Sequence, residues 1–359
     1  MSVLSKINVH RRSIMRNLTK NVGKTNMQDD FILVDKSEIK RVLICRPNGR
    51  LGNLLLITPL VQEVSEMFPN CKIDLFVKGT LAPIIFEKYD VVGKIIHLPK
   101  KPFKSLLAYS KVWISLKKTP YDLAINVDQN SSSGRLAVQF SNAKYKFFGD
   151  SNEEVEHKSD FEHIAKYPVY NFRNYLAKLR MPTNSNKIIA PLDLKLTASE
   201  IAEGRKILGE LTNNDKKTIC IFTYATGTKC LSEEWWEKFY SQLTDEYKDY
   251  NIIEILPVEN VSQIGFKAPT FYSKDIREIG SVIANADLFI GADSGIMHLS
   301  SAVHTPTVGL FSVSNLKKYE PYDNCSIGVD VNLYTPKEYI KTINSILNNG
   351  RLNSYSKAI

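Results

Sequence analysis

Residues 290–311 read IGADSGIMHLSSAVHTPTVGLF, and the fold class turns on this stretch. The run Ala286-Asp287-Leu288-Phe289-Ile290 leads into it as a short, apolar, buried strand. Asp293-Ser294-Gly295 then supplies small, hydrogen-bonding residues where a helix begins, and Leu299, Ala302 and Val303 recur at helical spacing. Thr305-Pro306 stops that helix, because proline has no N–H to continue it, and Val308-Gly309-Leu310-Phe311 is the next strand. A β-loop-α-β unit of this kind turns free backbone N–H groups and the positive end of a helix dipole toward the loop, where a diphosphate can sit. The plainer alternative is that Asp293 or Ser294 only caps the helix and that His298 is a satisfied buried histidine.

The same alternation recurs upstream. Arg41-Val42-Leu43-Ile44-Cys45 is a continuous apolar strand of the kind covered on both faces. It runs into the glycine-bearing loop Arg46-Pro47-Asn48-Gly49-Arg50-Leu51-Gly52-Asn53, and a helix is predicted from Leu54 to Phe68, with Pro59 near its start. This loop has neither the G-x-G-x-x-G spacing of a dinucleotide site nor a Walker A lysine. Further strands are predicted at Ile73–Val77, Lys94–Leu98, Asp122–Val127, Lys144–Phe148, Thr218–Thr223 and Ile252–Leu256, with helices such as Phe103 to Lys117 between them. Alternating βα units imply mainly parallel, doubly wound sheets with ligands at the carboxyl ends of the strands. Asp128 directly follows such an end, so it is either a base facing a cleft or a turn-capping carboxylate.

With 359 residues, two domains can each bury a core. A composition of 43% hydrophobic and 24% charged residues excludes a disordered chain. The cysteines Cys45, Cys71, Cys220, Cys230 and Cys325 are scattered without metal-ligand spacing, as in reduced proteins of the cytosol. No apolar run is long enough to span a bilayer, and a secretory signal is not evident, so a cytoplasmic protein is expected. The net charge of +9 favours an acidic partner, and no nucleic-acid motif is present. Lys6, Arg11, Arg12, Arg16, Lys20 and Lys24 lie in a segment without acids that is either a solvated tail or a peripheral contact with the anionic inner face of the cytoplasmic membrane. Asp150 to Tyr170, with His157, Asp160, Glu162 and His163, is expected to be a mobile acceptor-binding loop rather than a metal site.

The segment Asp293-Ser294-Gly295-Ile296-Met297-His298-Leu299-Ser300-Ser301-Ala302, with Thr305-Pro306-Thr307-Val308 and Leu310-Phe311, resembles the C-terminal signature of the ADP-heptose:lipopolysaccharide heptosyltransferases, glycosyltransferase family 9. Asp275-Ile276-Arg277-Glu278-Ile279 upstream and Tyr319-Glu320-Pro321-Tyr322 downstream are similar to the family as well. The resemblance covers most of residues 41 to 335, strongly at the glycine loops and loosely between them. It implies a GT-B-like α/β fold: two Rossmann-type, doubly wound domains facing across a cleft. It further implies transfer of a heptose or related sugar from a nucleotide-diphosphate donor to a lipopolysaccharide-core or other glycan acceptor, with inversion at the anomeric carbon.

On that resemblance Lys229 matches the lysine that contacts the donor diphosphate, and it joins Asp293, Ser294, Gly295 and His298 as the expected donor site. Arg50, Gly52 and Asn53 are expected to meet the acceptor, a glycan or glycolipid. The family normally has aspartate after that glycine as its candidate general base, whereas this chain has Asn53. A carboxamide can hydrogen-bond a hydroxyl but cannot take its proton, so Asp128 is nominated as a substitute base, with His157 or His163 as alternatives. Lysine and helix-end amides can stabilise a departing diphosphate, so neither a metal nor a cofactor beyond the nucleotide-sugar donor is expected. Competing readings are a sugar-nucleotide epimerase, or a catalytically impaired binding protein in which Asn53 marks lost catalysis.

The expected division is a basic extension at 1–39, an acceptor domain at 40–182, a nucleotide-sugar domain at 190–335, and a C-terminal helix and tail at 336–359. That last helix carries Tyr339, Ile340, Ile343 and Leu347 on one side. By analogy with two-domain glycosyltransferases it is expected to pack back toward the first domain.

Overall fold

A computed structural model of the chain describes residues 35–99, 106–151 and 153–356, together with 14, 17–19, 22 and 23. The six basic residues singled out in the first 24 positions lie outside the described residues. The chain divides into two compact units, one of residues 1–50 and 59–190 and one of residues 51–58 and 191–359.

The first stretch of chain forms β1 (Arg41–Arg46), α1 (Leu51–Leu55), α2 (Thr58–Met67), β2 (Lys72–Val77), β3 (Val92–His97), α3 (Leu106–Lys118), β4 (Pro120–Asn126), α4 (Ser132–Phe140), β5 (Asn142–Phe147) and α5 (Tyr167–Lys178). The five strands make a parallel sheet in the order β3-β2-β1-β4-β5. Val42 to Arg46 and Ile73 to Val77 are buried throughout, as central strands covered on both faces must be. The buried Asp74 carboxylate accepts from Arg41, from the Tyr121 hydroxyl and from the Lys94 amide, tying β1, β2, β3 and β4 together at fixed register. Chain order reverses between β1 and β4, which is the switch point where loops diverge and ligands of such sheets bind.

The helix expected from Leu54 to Phe68 is broken. Pro59 has no N–H to bond back into a preceding turn, and the chain restarts at Thr58, whose Oγ1 donates to the Leu55 carbonyl at 2.7 Å. The break coincides with the unit boundary, so Leu51–Thr58, read from the sequence as part of the first domain, clusters with the second unit. Of the segment expected to be a mobile loop, the part from Asp160 onward is largely packed, while Glu153, Glu154, Glu156 and His157 are exposed. His163 is buried, and its Nδ1 accepts from the Ala165 amide at 3.2 Å. Asp160 pairs with Lys166 and with the Tyr170 hydroxyl, at 2.9 and 2.8 Å.

The remaining chain forms α6 (Ala198–Thr212), β6 (Lys217–Phe222), α7 (Glu233–Glu246), β7 (Tyr250–Ile255), β8 (Thr270–Phe271), α8 (Ile276–Ile283), β9 (Leu288–Ala292), α9 (Gly295–Ala302), β10 (Thr307–Phe311), α10 (Leu316–Tyr319), β11 (Ile327–Asp330) and α11 (Pro336–Ser356). Its six strands are parallel in the order β11-β10-β9-β6-β7-β8, the dinucleotide-fold order with its switch point between β6 and β9. The strands β8 and β11 escape sequence reading, being too short to show a period. The apolar side of α11 packs on its own unit. Tyr339, Ile343 and Ile346 are buried with Trp236, Phe239 and Leu243 of α7.

Candidate functional site

The polar cluster of the second unit is built on three neighbouring strands. Lys229 ends a tight turn after β6, the Asp293-Ser294 turn follows β9, and Lys318 and Tyr319 lie in α10 after β10. Gly227 opens the Lys229 turn with φ +67°, a conformation that glycine takes without steric cost. Lys229 Nζ lies 2.5 Å from Asp293 Oδ2 and 5.5 Å from the centre of the Tyr319 ring, and Lys318 Nζ lies 5.7 Å from the same ring. Asp293 is 5% exposed and Lys229 is partly open to solvent. The carboxylate therefore holds the lysine from below and leaves its outer side reachable.

Ser294 is the N-cap of α9, with Oγ accepting from the Met297 amide at 3.3 Å. The opening N–H groups of a helix lack intrahelical acceptors and carry its positive end, so Ser294, Gly295 and Lys229 make one electropositive corner at the switch point. Helix α1 packs on α9, and glycine permits the approach from both sides. A methyl group at residue 52 would lie 2.6 Å from His298 Cδ2, and one at residue 295 would lie 3.1 Å from Leu51 Cβ. The structure thus brings Gly52, expected at the acceptor, against Gly295 and the buried His298, expected at the donor. Asn53 is half-buried on the same short helix.

In the first unit, Arg46 Nη1 donates to Asp128 Oδ2 at 2.9 Å, pairing the ends of β1 and β4 at that sheet's switch point. The other Asp128 oxygen accepts from the Asn130 amide at 3.0 Å, so the carboxylate is fixed in orientation while its side chain stays 27% exposed. Arg50 belongs to this unit and is exposed, with its amide capped by Asn48. Of the histidines weighed as bases, His163 is held in the interior and His157 is exposed on the surface.

Sequence reading missed several participants. Arg46 was legible only as the first residue of the glycine-bearing loop, Tyr319 only as the start of the Tyr319-Glu320-Pro321-Tyr322 segment, and Lys318 not at all. Glu254 at the end of β7 gave no signal. It is fully buried, accepts from Thr223 at 2.6 Å and Ser262 at 2.7 Å, and burial raises its pKa. That network ties the 257–266 loop to the strand that precedes the Lys229 turn. Among the described residues no group of three or more His, Cys, Asp and Glu side chains could hold a metal ion.

The model of Glycosyltransferase family 9 (heptosyltransferase) matches residues 273–345, from α8 through the Asp293 turn into α11. Over 291 residues the chain is 21% identical to lipopolysaccharide heptosyltransferase 3 of Escherichia coli, covering 76% of this chain and 84% of that one. Among solved structures it is similar to the family 9 glycosyltransferase of Veillonella parvula, with 16% identity and a TM-score of 0.67 over 89% of this chain and 100% of the other. It is also similar to E. coli heptosyltransferase WaaC with ADP-2-deoxy-2-fluoro heptose, with 16% identity and a TM-score of 0.58 over 85% and 99% of the two chains. At such identities the structural likeness speaks for the fold, and the sequence match to α8, the Asp293 turn and α9 speaks for the family. On these grounds the chain is similar to the glycosyltransferases of family 9, in sequence over residues 273–345 and in fold over most of its length.

Proposed function

We propose that the protein transfers a heptose or closely related sugar from an ADP-linked donor to a lipopolysaccharide-core or other membrane-borne glycan, without a metal and with inversion at the anomeric carbon. The observation that carries the reading is Lys229 held by Asp293 beside the opening of α9, at the switch point of a dinucleotide-fold sheet. The named relatives are lipopolysaccharide heptosyltransferases, and WaaC was solved with an ADP-heptose analogue. In this mechanism the acceptor hydroxyl attacks the anomeric carbon as the bond from that carbon to the diphosphate oxygen breaks, and the hydroxyl proton passes to a base. Lys229 and the α9 amides offset the charge that grows on the leaving diphosphate. Asp128 is the proposed base, oriented by Arg46, and Asn53 is a hydrogen-bonding partner for the acceptor.

The test is transfer by the purified chain. Thermal stabilisation by nucleoside diphosphates identifies the donor base, because a ligand of the folded form alone raises the melting temperature. Incubation with ADP-heptose and a truncated lipopolysaccharide core then gives a product whose anomeric configuration NMR reads. Full turnover in the presence of a chelator is the expected outcome. Conversion of the donor to an epimer without acceptor would replace this reading with the epimerase one, and binding without turnover would leave a nucleotide-binding protein.

A further inference from the structure

We infer that the outward face of α3, with Phe140 of α4, docks on an anionic lipid bilayer. The inner side of α3 is accounted for: Leu116 is fully buried, and Tyr109, Val112 and Trp113 pack on the core of the first unit. Leu107, Lys111, Ile114 and Lys118 follow one another at helical spacing on the other side. Leu107 is 79% exposed, Leu106 64% and Ile114 50%, and Phe140, edge-on to Trp113, is 55% exposed. Clustered large apolar side chains of this kind on a surface mark a binding face.

Charge selects the occupant. Between Asp90 and Asp122 the sequence holds seven lysines and no acid. A protein partner would normally be met by charges of both signs, whereas the exposed Lys111, Lys117 and Lys118, with no acid on α3, suit a headgroup layer beside the exposed leucines. Their ammonium groups can reach phosphate while their stems lie along the apolar boundary.

Another side of helix α4 holds residues 22 and 23. Arg135, almost completely buried, donates to the carbonyls of Val22 and Gly23 and to Asp150, at 3.1, 3.4 and 2.7 Å. Gly23 lies so close to Phe148 and Gln139 that a methyl group there would overlap both. The chain just before it shows Ile14 and Leu18 to solvent, and residues 1–24 hold six basic residues and no acid.

This deepens the reading of a membrane-borne acceptor, and it is tested with neither donor nor acceptor present, so that its failure and that of the transferase reading are seen separately. The full chain is sedimented with vesicles of phosphatidylcholine alone or mixed with phosphatidylglycerol. Binding to the mixed vesicles, weakening with added salt, is expected. Leu107→Ser/Ile114→Ser and Lys111→Glu/Lys118→Glu are each expected to lower it about tenfold or more. Both variants should keep the wild-type melting temperature and wild-type turnover on a soluble acceptor fragment. Wild-type protein left in the supernatant, or either variant binding as the wild type does, overturns the inference. So does a serine variant that only converts a dimer to a monomer in sedimentation, which would assign the face to a second copy.

Discussion

The ammonium of Lys229 is shared between the Asp293 carboxylate, 2.5 Å away, and the face of the Tyr319 ring. Asp293 is buried and Lys229 is its ion-pair partner in the structure, so removing either leaves a charge without its counterpart. Lys229→Ala is expected to lower kcat/KM by about a hundredfold or more, the usual cost of losing a group that stabilises leaving-group charge. Asp293→Asn should also lower it strongly, by loosening the lysine. The double variant should lose much less than the product of the single losses, because residues in contact are not additive. Steady-state kinetics on the four proteins, with melting curves to confirm folding, decides it. Multiplicative losses would separate the two residues.

The assignment of the base divides Asp128 from Asn53. The Asp128 carboxylate is held at both oxygens, by Arg46 and the Asn130 amide, and a carboxamide in its place could still accept from one of them but could not take a proton. Asp128→Asn is expected to cut kcat by about a hundredfold, within the range of general-base contributions, while nucleotide binding is unchanged. Asn53→Asp should leave turnover within about threefold if Asp128 is the base as proposed. A large gain from Asn53→Asp together with no loss at Asp128 would move the base to position 53.

Much of this was legible in the chain. The apolar runs from Arg41 and Thr218 gave the central strands because parallel strands covered on both faces need unbroken hydrophobic sequence. Asp293-Ser294-Gly295 gave a helix start because small capping residues have few other uses at the end of a buried strand. What stayed hidden depended on distant partners. Nothing near Glu254 shows that Thr223 and Ser262 come together around it. The Arg46 to Asp128 pair spans separate strands that only the sheet order brings together. Pro59 was visible, but tolerance of proline early in a helix and interruption by it look alike until the preceding turn is known to exist.

The contact between Gly52 and His298 predicts a purely steric effect. His298 is 4% exposed, so its ring has little room to move away from a methyl group at 52. Gly52→Ala is expected to destabilise the protein by about 1–3 kcal/mol, the usual range for overpacking a filled site. Adding His298→Ala should recover part of that stability although it deletes a buried side chain. Urea denaturation of both variants measures it. A single variant as stable as wild type would show that α1 moves freely on α9.

Arg277 and Glu200 make the clearest pH-dependent link. Arg277 Nε donates to Glu200 Oε1 at 2.5 Å, and its other nitrogens reach the carbonyls of Leu194 and Lys195. Glu200 is also the N3 residue of the capping box that Thr197 sets at the start of α6. The hydrogen bond from Arg277 first, then those from Thr197, bring the Glu200 pKa down from 4.5 to about 2. A depressed carboxylate pKa means that the unfolded chain takes up the proton more readily. The contribution is therefore whole above about pH 4.5 and is lost as pH falls toward about 2. Glu200→Gln should melt below the wild type at neutral pH, and the two melting curves should converge as the pH is lowered through that window. A gap that stays constant down to acid pH would mean that the glutamate acts through packing and capping alone, with no contribution from its charge.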